Sequence, residues 1–249
     1  MGFNPKITLH NIKNIPWYVS DYKVLRRQLK GSTIFPITQL KPILTDKGDN
    51  GGILSGVYFH QDLLIARRIF KSNPLKHVDV GSRTDGFVAH VAAFREIELF
   101  DIRPVESTLE NIKFVQADFM LINEKLINYT DSISSLHAIE HFGLGRYNDT
   151  IDADGHLKGL KAIHQTLKIN GKFYFSTPIG PQRIEFNAHR VFSIKYLLDI
   201  FKEHYSLDDF SYIDDLGFLH ENVIMSDANI DANFNCFYGC GIFEMTKLR

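Results

Sequence analysis

The segment HVDVGSRTDGF (77–87) constrains the fold more than any other stretch of the chain. HVDV (77–80) has the length of a short buried strand, residues 81–86 form a glycine-punctuated turn, and FVAHVAAF (87–94) continues as a helix. IELFDI (97–102) follows as a second strand ending at Asp101, twenty residues after Gly81. A strand, a glycine turn, a helix and an acid-tipped strand at that offset make up the first unit of an open α/β sheet. Such sheets bind ligands beyond the carboxyl ends of their strands. Against the dinucleotide fingerprint G-x-G-x-x-G, the turn keeps Gly81 and Gly86 but has Arg83 at the middle position. The missing glycine is the one that lets a pyrophosphate approach the backbone, so a nucleoside cofactor without pyrophosphate fits better than NAD. A carboxylate at 101 can accept from both ribose hydroxyls.

The remaining pattern extends this unit. YFHQDLLIARRIFK (58–71) has helical spacing. IKFVQAD (112–118) and DSISSLHA (131–138) read as third and fourth strands. LKGLKAIHQTLK (157–168) is an amphipathic helix with a C-cap signal at 169–171, KFYFSTP (172–178) is a fifth strand, and FSIKYLLDIF (192–201) is a helix. This alternation predicts a doubly wound, mostly parallel sheet. LDDFSYIDD (207–215) and FYGCGIFEMTK (237–247) read as two further strands, with antiparallel pairing at the end of the chain. Residues 1–57 carry Pro5, Pro16, Pro36 and Pro42 and close on a glycine cluster. They predict an irregular N-terminal cap containing one short helix at 20–30 with Ser20 as its N-cap, ahead of a domain at 58–249.

Composition removes several function classes. With 28 Lys and Arg against 29 Asp and Glu, the net charge of −1 offers no general field for nucleic acid or anionic lipid. Two cysteines exclude a disulfide framework. Cys236 and Cys240, spaced along a β-prone segment, read as core thiols. Neither a signal-peptide core nor a run long enough to span a membrane is visible, so the expectation is a cytoplasmic protein. The 20 Phe and 10 Tyr suit a thick core or an apolar pocket.

VDVGSRTDG, LFDIRP, VQADF, SISSLHAIEH and LKINGKFYFSTP together resemble the class I S-adenosylmethionine-dependent methyltransferases over about residues 58–247. More narrowly, YFHQDLLIARRIF, VGSRTDGFVAH, IEHFGLGRYND and FNAHRVFS resemble the domain-of-unknown-function 268 branch, in which an Arg at position 83 is ordinary. The resemblance implies a Rossmann-like fold and S-adenosyl-L-methionine as cofactor. Asp79, Gly81, Ser82, Arg83, Gly86, Asp101, Ile102, Asp118, Phe119 and His137 would hold it. Tyr58, Phe59, His60 and Gln61 would close over it.

In that chemistry the sulfonium supplies the leaving group and the protein aligns donor and nucleophile. A hydroxyl acceptor needs a base, usually His near neutral pH. The candidate is His141, with Glu140 orienting it or meeting the substrate and His189 as a second histidine on the same rim. Tyr147, Arg190 and His60 are candidate acceptor contacts, Arg190 as a clamp for carboxylate, phosphate or sugar hydroxyls. The implied activity is O-methylation of a sugar or other small polar molecule in surface polysaccharide synthesis, with a homodimer left open. Two alternatives stand beside it. One is a non-catalytic binding protein that lost the cofactor through Arg83 and Asp85. The other is a zinc hydrolase, because His137-Ala-Ile-Glu140-His141 matches H-x-x-E-H. That motif needs both histidines on one helical face, whereas the first ends a β-prone strand, so the reading assigns no metal ligand.

Overall fold

A computed structural model of the protein describes residues 5–30, 34–49, 52, 54–106, 109–121 and 123–249, in two compact units, Met1–Ile53 and Leu54–Arg249. The first is built on α1 (Pro5–Gln28). Here the structure corrects part of the sequence reading: over residues 5–28 one long helix replaces irregular chain, with Ser20 inside it, while residues 34–49 carry no helix or strand. Pro5 occupies the first helical position, where a missing N–H costs nothing. Pro16 removes one hydrogen bond from the interior, and the helix continues on both sides of it.

The second unit opens with α2 (Val57–Ser72), which turns Leu64, Ile65 and Ile69 inward and stops at Asn73, a left-handed residue (φ 41°). β1 (His77–Val80) is buried throughout. It passes through a π-helical turn, Thr84–Val88, into α3 (Ala89–Ala92), so the helix begins three residues earlier than the sequence predicts. β2 (Ile97–Asp101), β3 (Ile112–Gln116) and β4 (Thr130–Leu136) follow, then α4 (Gly155–Thr166), β5 (Leu167–Ile179) and the small hairpin β6 (Arg183–Glu185) and β7 (His189–Val191). α5 (Ile194–Phe201) is capped by the Ser193 hydroxyl. β8 (Tyr205–Ile213), β9 (Leu219–His220), α6 (Asp227–Asp231) and β10 (Gly239–Lys247) complete the chain.

Among the described residues the main sheet has eight strands in the order β3-β2-β1-β4-β5-β10-β8-β9. The first five are parallel, and β10 enters between β5 and β8, antiparallel to both. The central strands β1, β2 and β4 are buried on both faces, as parallel strands covered by helices must be, while the edge strand β3 is largely exposed. Along β5, Phe173 and Phe175 join the core beneath α4 and α5, while Tyr174 joins the core beneath α2 and α3. The phenylalanine surplus goes largely into the first of these cores, where Phe210 and Phe243 pack with ring centres 4.8 Å apart.

Two boundaries differ from expectation. α4 ends at Thr166 and β5 begins at once, so the Asn-Gly at 170–171 is a bend within strand pairing, with Asn170 at φ 62°, not a helix cap. Cys236 lies in the turn before β10 and Cys240 within it; both are free and buried, and burial pushes the Cys236 thiol up to about 12. No helix among the described residues is long and apolar enough to cross a membrane.

Candidate active site

A cavity of ≈ 470 Å³ opens beyond the carboxyl ends of β1 to β4, the position an α/β sheet reserves for ligands. Gly81 forms part of its floor. Its φ of 75° suits glycine, its N–H donates to Phe100 O at 2.8 Å, and a Cβ there would come within 2.9 Å of Ala138 Cβ. The turn is shaped from beneath. Asp79, fully buried, accepts from Ser82 N (2.9 Å), Ser82 Oγ (2.7 Å) and Ser134 Oγ. Burial pushes its carboxyl up to about 6 against the pull of those bonds. Asp79 and Ser82 therefore do not line the cavity, contrary to the sequence reading; they hold the loop that does. Gly86 also lies off the cavity, so close to Asp62 that a Cβ would meet Asp62 Oδ2 at 2.5 Å. Arg83 lines the rim. Its guanidinium pairs with Asp85 at 3.0 Å and lies 4.9 Å from the Tyr58 ring centre.

Asp101 reaches the cavity from the end of β2, with Ile102 beside it. The Asp101 carboxylate is engaged by Arg103: Oδ1 accepts from the backbone N (2.8 Å) and Nε (3.0 Å), and Oδ2 accepts from Nη2 (2.7 Å). Asp118 and Phe119 line the neighbouring wall. Asp118 Oδ1 accepts from Met120 N at 2.8 Å, and Phe119 packs its ring on Phe100.

The opposite wall comes from the chain after β4. His137 sits at φ 50° and Ile139–His141 form a single 3₁₀ turn. That conformation takes the two histidines off a common helical face and points both at Glu140, with His137 Nδ1 2.9 Å and His141 Nε2 3.8 Å from Glu140 Oε1. Glu140 is wholly buried and neither of its oxygens receives a well-aligned hydrogen bond. Burial pushes its carboxyl up, and the two imidazoles more than offset this, holding it below its ordinary value. Burial also opposes a charge on His137, but Cys240 and Glu140 beside it keep that ring well above its ordinary value. His141 goes the other way: burial holds it below 6.5 despite Glu140. Its Nδ1 lies 2.6 Å from Ala188 O, and a carbonyl only accepts, so Nδ1 carries the hydrogen and Nε2 the free lone pair. Among the described residues no three His, Cys, Asp or Glu side chains are grouped to hold a metal ion.

His189, on β7, completes this wall, with its ring centre 6.4 Å from His141 and 5.0 Å from Tyr238. Tyr147 packs edge-on against His141 at 5.3 Å. Two expected acceptor contacts lie elsewhere. Arg190 is buried, donating to the carbonyls of Glu140, Phe142, Asp152 and Ala153, which makes it a staple for the loop behind the site. His60 and Phe59 do not line the cavity, whereas Tyr58 does; Gln61 is buried against Ser176 and Cys240. Sequence reasoning missed Arg103, Arg146, Asp149 and Tyr238. Arg103 stands two residues after Asp101, a spacing that permits a fork onto it. Tyr238 arrives from the far end of the chain with no local signal.

Solved structures share this fold. A Burkholderia thailandensis 1,6-didemethyltoxoflavin N1-methyltransferase, with bound 1,6-didemethyltoxoflavin and S-adenosylhomocysteine, is 12% identical at a TM-score of 0.55, covering 100% of this chain and 92% of that one. The N-methyltransferase NodS of Bradyrhizobium japonicum WM9, in complex with S-adenosylhomocysteine, is 11% identical at a TM-score of 0.51, covering 92% of this chain and 98% of that one. The [4+2]-cyclase SpnF is 13% identical at a TM-score of 0.52, covering 76% and 81%. At these identities the likeness is one of fold. No curated protein matches the sequence. A family model does match residues 91–223, more than half of the sequence. The chain belongs to the family described as Caenorhabditis protein of unknown function, DUF268.

Proposed function

We propose that the protein is an S-adenosylmethionine-dependent methyltransferase that methylates an oxygen of a sugar or other small polar acceptor. One observation carries this reading: a single cavity joins the Gly81 bend and the Asp101 carboxylate on one wall to His141 and His189 on the other. Its ≈ 470 Å³ lies in the range of small-molecule sites. The residues suit a nucleoside. Among the described residues Asp118 Oδ2 has no protein partner, and Asp101, with three of about four acceptor positions taken by Arg103, retains room for a hydroxyl. Gly81, Ile102 and Phe119 would complete the cofactor's surroundings.

The cofactor, when bound, supplies an electrophilic methyl on a sulfonium leaving group. The chain's part is to bind, align and exclude water. His141 is the general base: burial keeps it neutral near pH 7, and Nε2 carries the lone pair that takes the acceptor's proton. Glu140, 3.8 Å from Nε2, stabilises the resulting imidazolium. A sugar for surface polysaccharide, methylated in the cytoplasm, is the acceptor setting that the family resemblance implies.

Calorimetric titration with S-adenosylhomocysteine tests the reading, and binding is expected. Absence of binding would favour a non-catalytic role or another reaction on this fold. The engagement of Asp101 by Arg103 and the fold likeness to a [4+2]-cyclase support that second reading.

A further inference from the structure

Two guanidinium groups converge on Tyr147 at the cavity wall. Arg103 Cζ lies 4.3 Å and Arg146 Cζ 5.1 Å from its ring centre. Arg103 commits Nε and Nη2 to Asp101, and its Nη1 has no partner among the described residues. Arg146 commits only Nη1, to Ala188 O at 2.9 Å, leaving Nε and Nη2 unpaired among the described residues. The acids nearby are already engaged. Asp101 is held by Arg103, and Asp149 accepts three backbone N–H groups, from Gly143 (2.7 Å), Gly145 (3.2 Å) and Tyr147 (3.1 Å). Arg146 thus has no carboxylate partner among the described residues, although it stands beside the base His141 (Nη1 to Nδ1, 3.5 Å). Arg103 already has Asp101 as its counter-ion, whereas the Arg146 charge has none among the described residues, and guanidinium donors match oxyanions in geometry.

We infer that Arg103, Arg146 and Tyr147 form an oxyanion subsite, and that the acceptor carries a phosphate or carboxylate group there while its reacting hydroxyl extends to His141. The inference deepens the methyltransferase reading and rests on it for the word acceptor; the subsite itself does not.

The test titrates inorganic phosphate, and acetate in parallel, into the full-length protein with and without S-adenosylhomocysteine. Phosphate is expected to bind the wild type. Arg146→Gln should weaken it by about tenfold or more, the scale of a lost charge-assisted hydrogen bond, and Arg146→Lys by less. S-adenosylhomocysteine affinity should not change in either variant. Phosphate binding well above acetate assigns a phosphate ester; the reverse assigns a carboxylate. Failure of both anions to bind at millimolar concentration, or equal binding by Arg146→Gln, overturns the subsite. Loss of S-adenosylhomocysteine binding with Arg146-dependent phosphate binding intact would overturn the methyltransferase reading and leave the subsite standing.

Discussion

Arg103 closes a fork on Asp101, with Nε 3.0 Å from Oδ1 and Nη2 2.7 Å from Oδ2, so the carboxylate we propose as the ribose acceptor is already hydrogen-bonded within the chain. A nucleoside engaging both oxygens must share them with the guanidinium or displace it.

Asp101→Ala should therefore weaken S-adenosylhomocysteine binding by about 1–3 kcal/mol, the value of hydrogen bonds to a charged acceptor. Arg103→Ala should move affinity the other way, because it removes a competitor. Calorimetry on the two variants decides; unchanged affinity in Asp101→Ala would end the ribose assignment.

His141→Ala should slow turnover by ~10²–10⁴ and leave cofactor affinity nearly intact, as loss of a general base does. Burial holds the His141 ring below 6.5 while Glu140 pulls it up. The rate should fall with acidification only below the ordinary imidazole range, and Glu140→Gln should move that limb to still lower pH. A pH–rate profile with an identified acceptor reads both; a profile indifferent to Glu140 would separate the two residues.

Arg190→Ala should destabilise the fold. The guanidinium serves the carbonyls of residues 140, 142, 152 and 153, and each buried carbonyl left without a donor costs about 1–3 kcal/mol. A marked drop in Tm is expected. An unaltered Tm with impaired acceptor binding would instead make Arg190 a substrate clamp.

His77 should make the protein acid-labile. Its ring is buried between Ser132 Oγ (2.8 Å) and Ser134 Oγ (3.1 Å), and burial pushes it down to about 3. Between pH 6.5 and about 3 the unfolded chain takes up a proton here and the folded chain does not, so stability is lost as pH falls through that window. His156 and His164, each pushed by burial to about 4, act in the same direction. Thermal melts of His77→Gln across this range should show a shallower loss than the wild type. Parallel curves would remove His77 from the account.

Much of the fold was legible because it is encoded locally. The strand at 77–80, the Gly81 bend and the acid at 101 follow from short-range apolar spacing and from a backbone angle that suits glycine, and the structure places Asp101 and His141 on one cavity. The long N-terminal helix was not legible: proline reads as a break, yet one missing donor at Pro16 does not end a helix whose other bonds persist.

What the sequence by itself determined is the order of the elements, the burial of the central strands and the residue types delivered to the strand ends, since these depend on periodicity within a dozen residues. Only the tertiary structure decided which polar groups meet. It put Asp79 under the loop with Ser134, 55 positions away. It turned Arg190 into a buried staple and brought Tyr238 beside His189. Those outcomes depend on the packing distances between strands and loops far apart in the chain, and no local pattern records them.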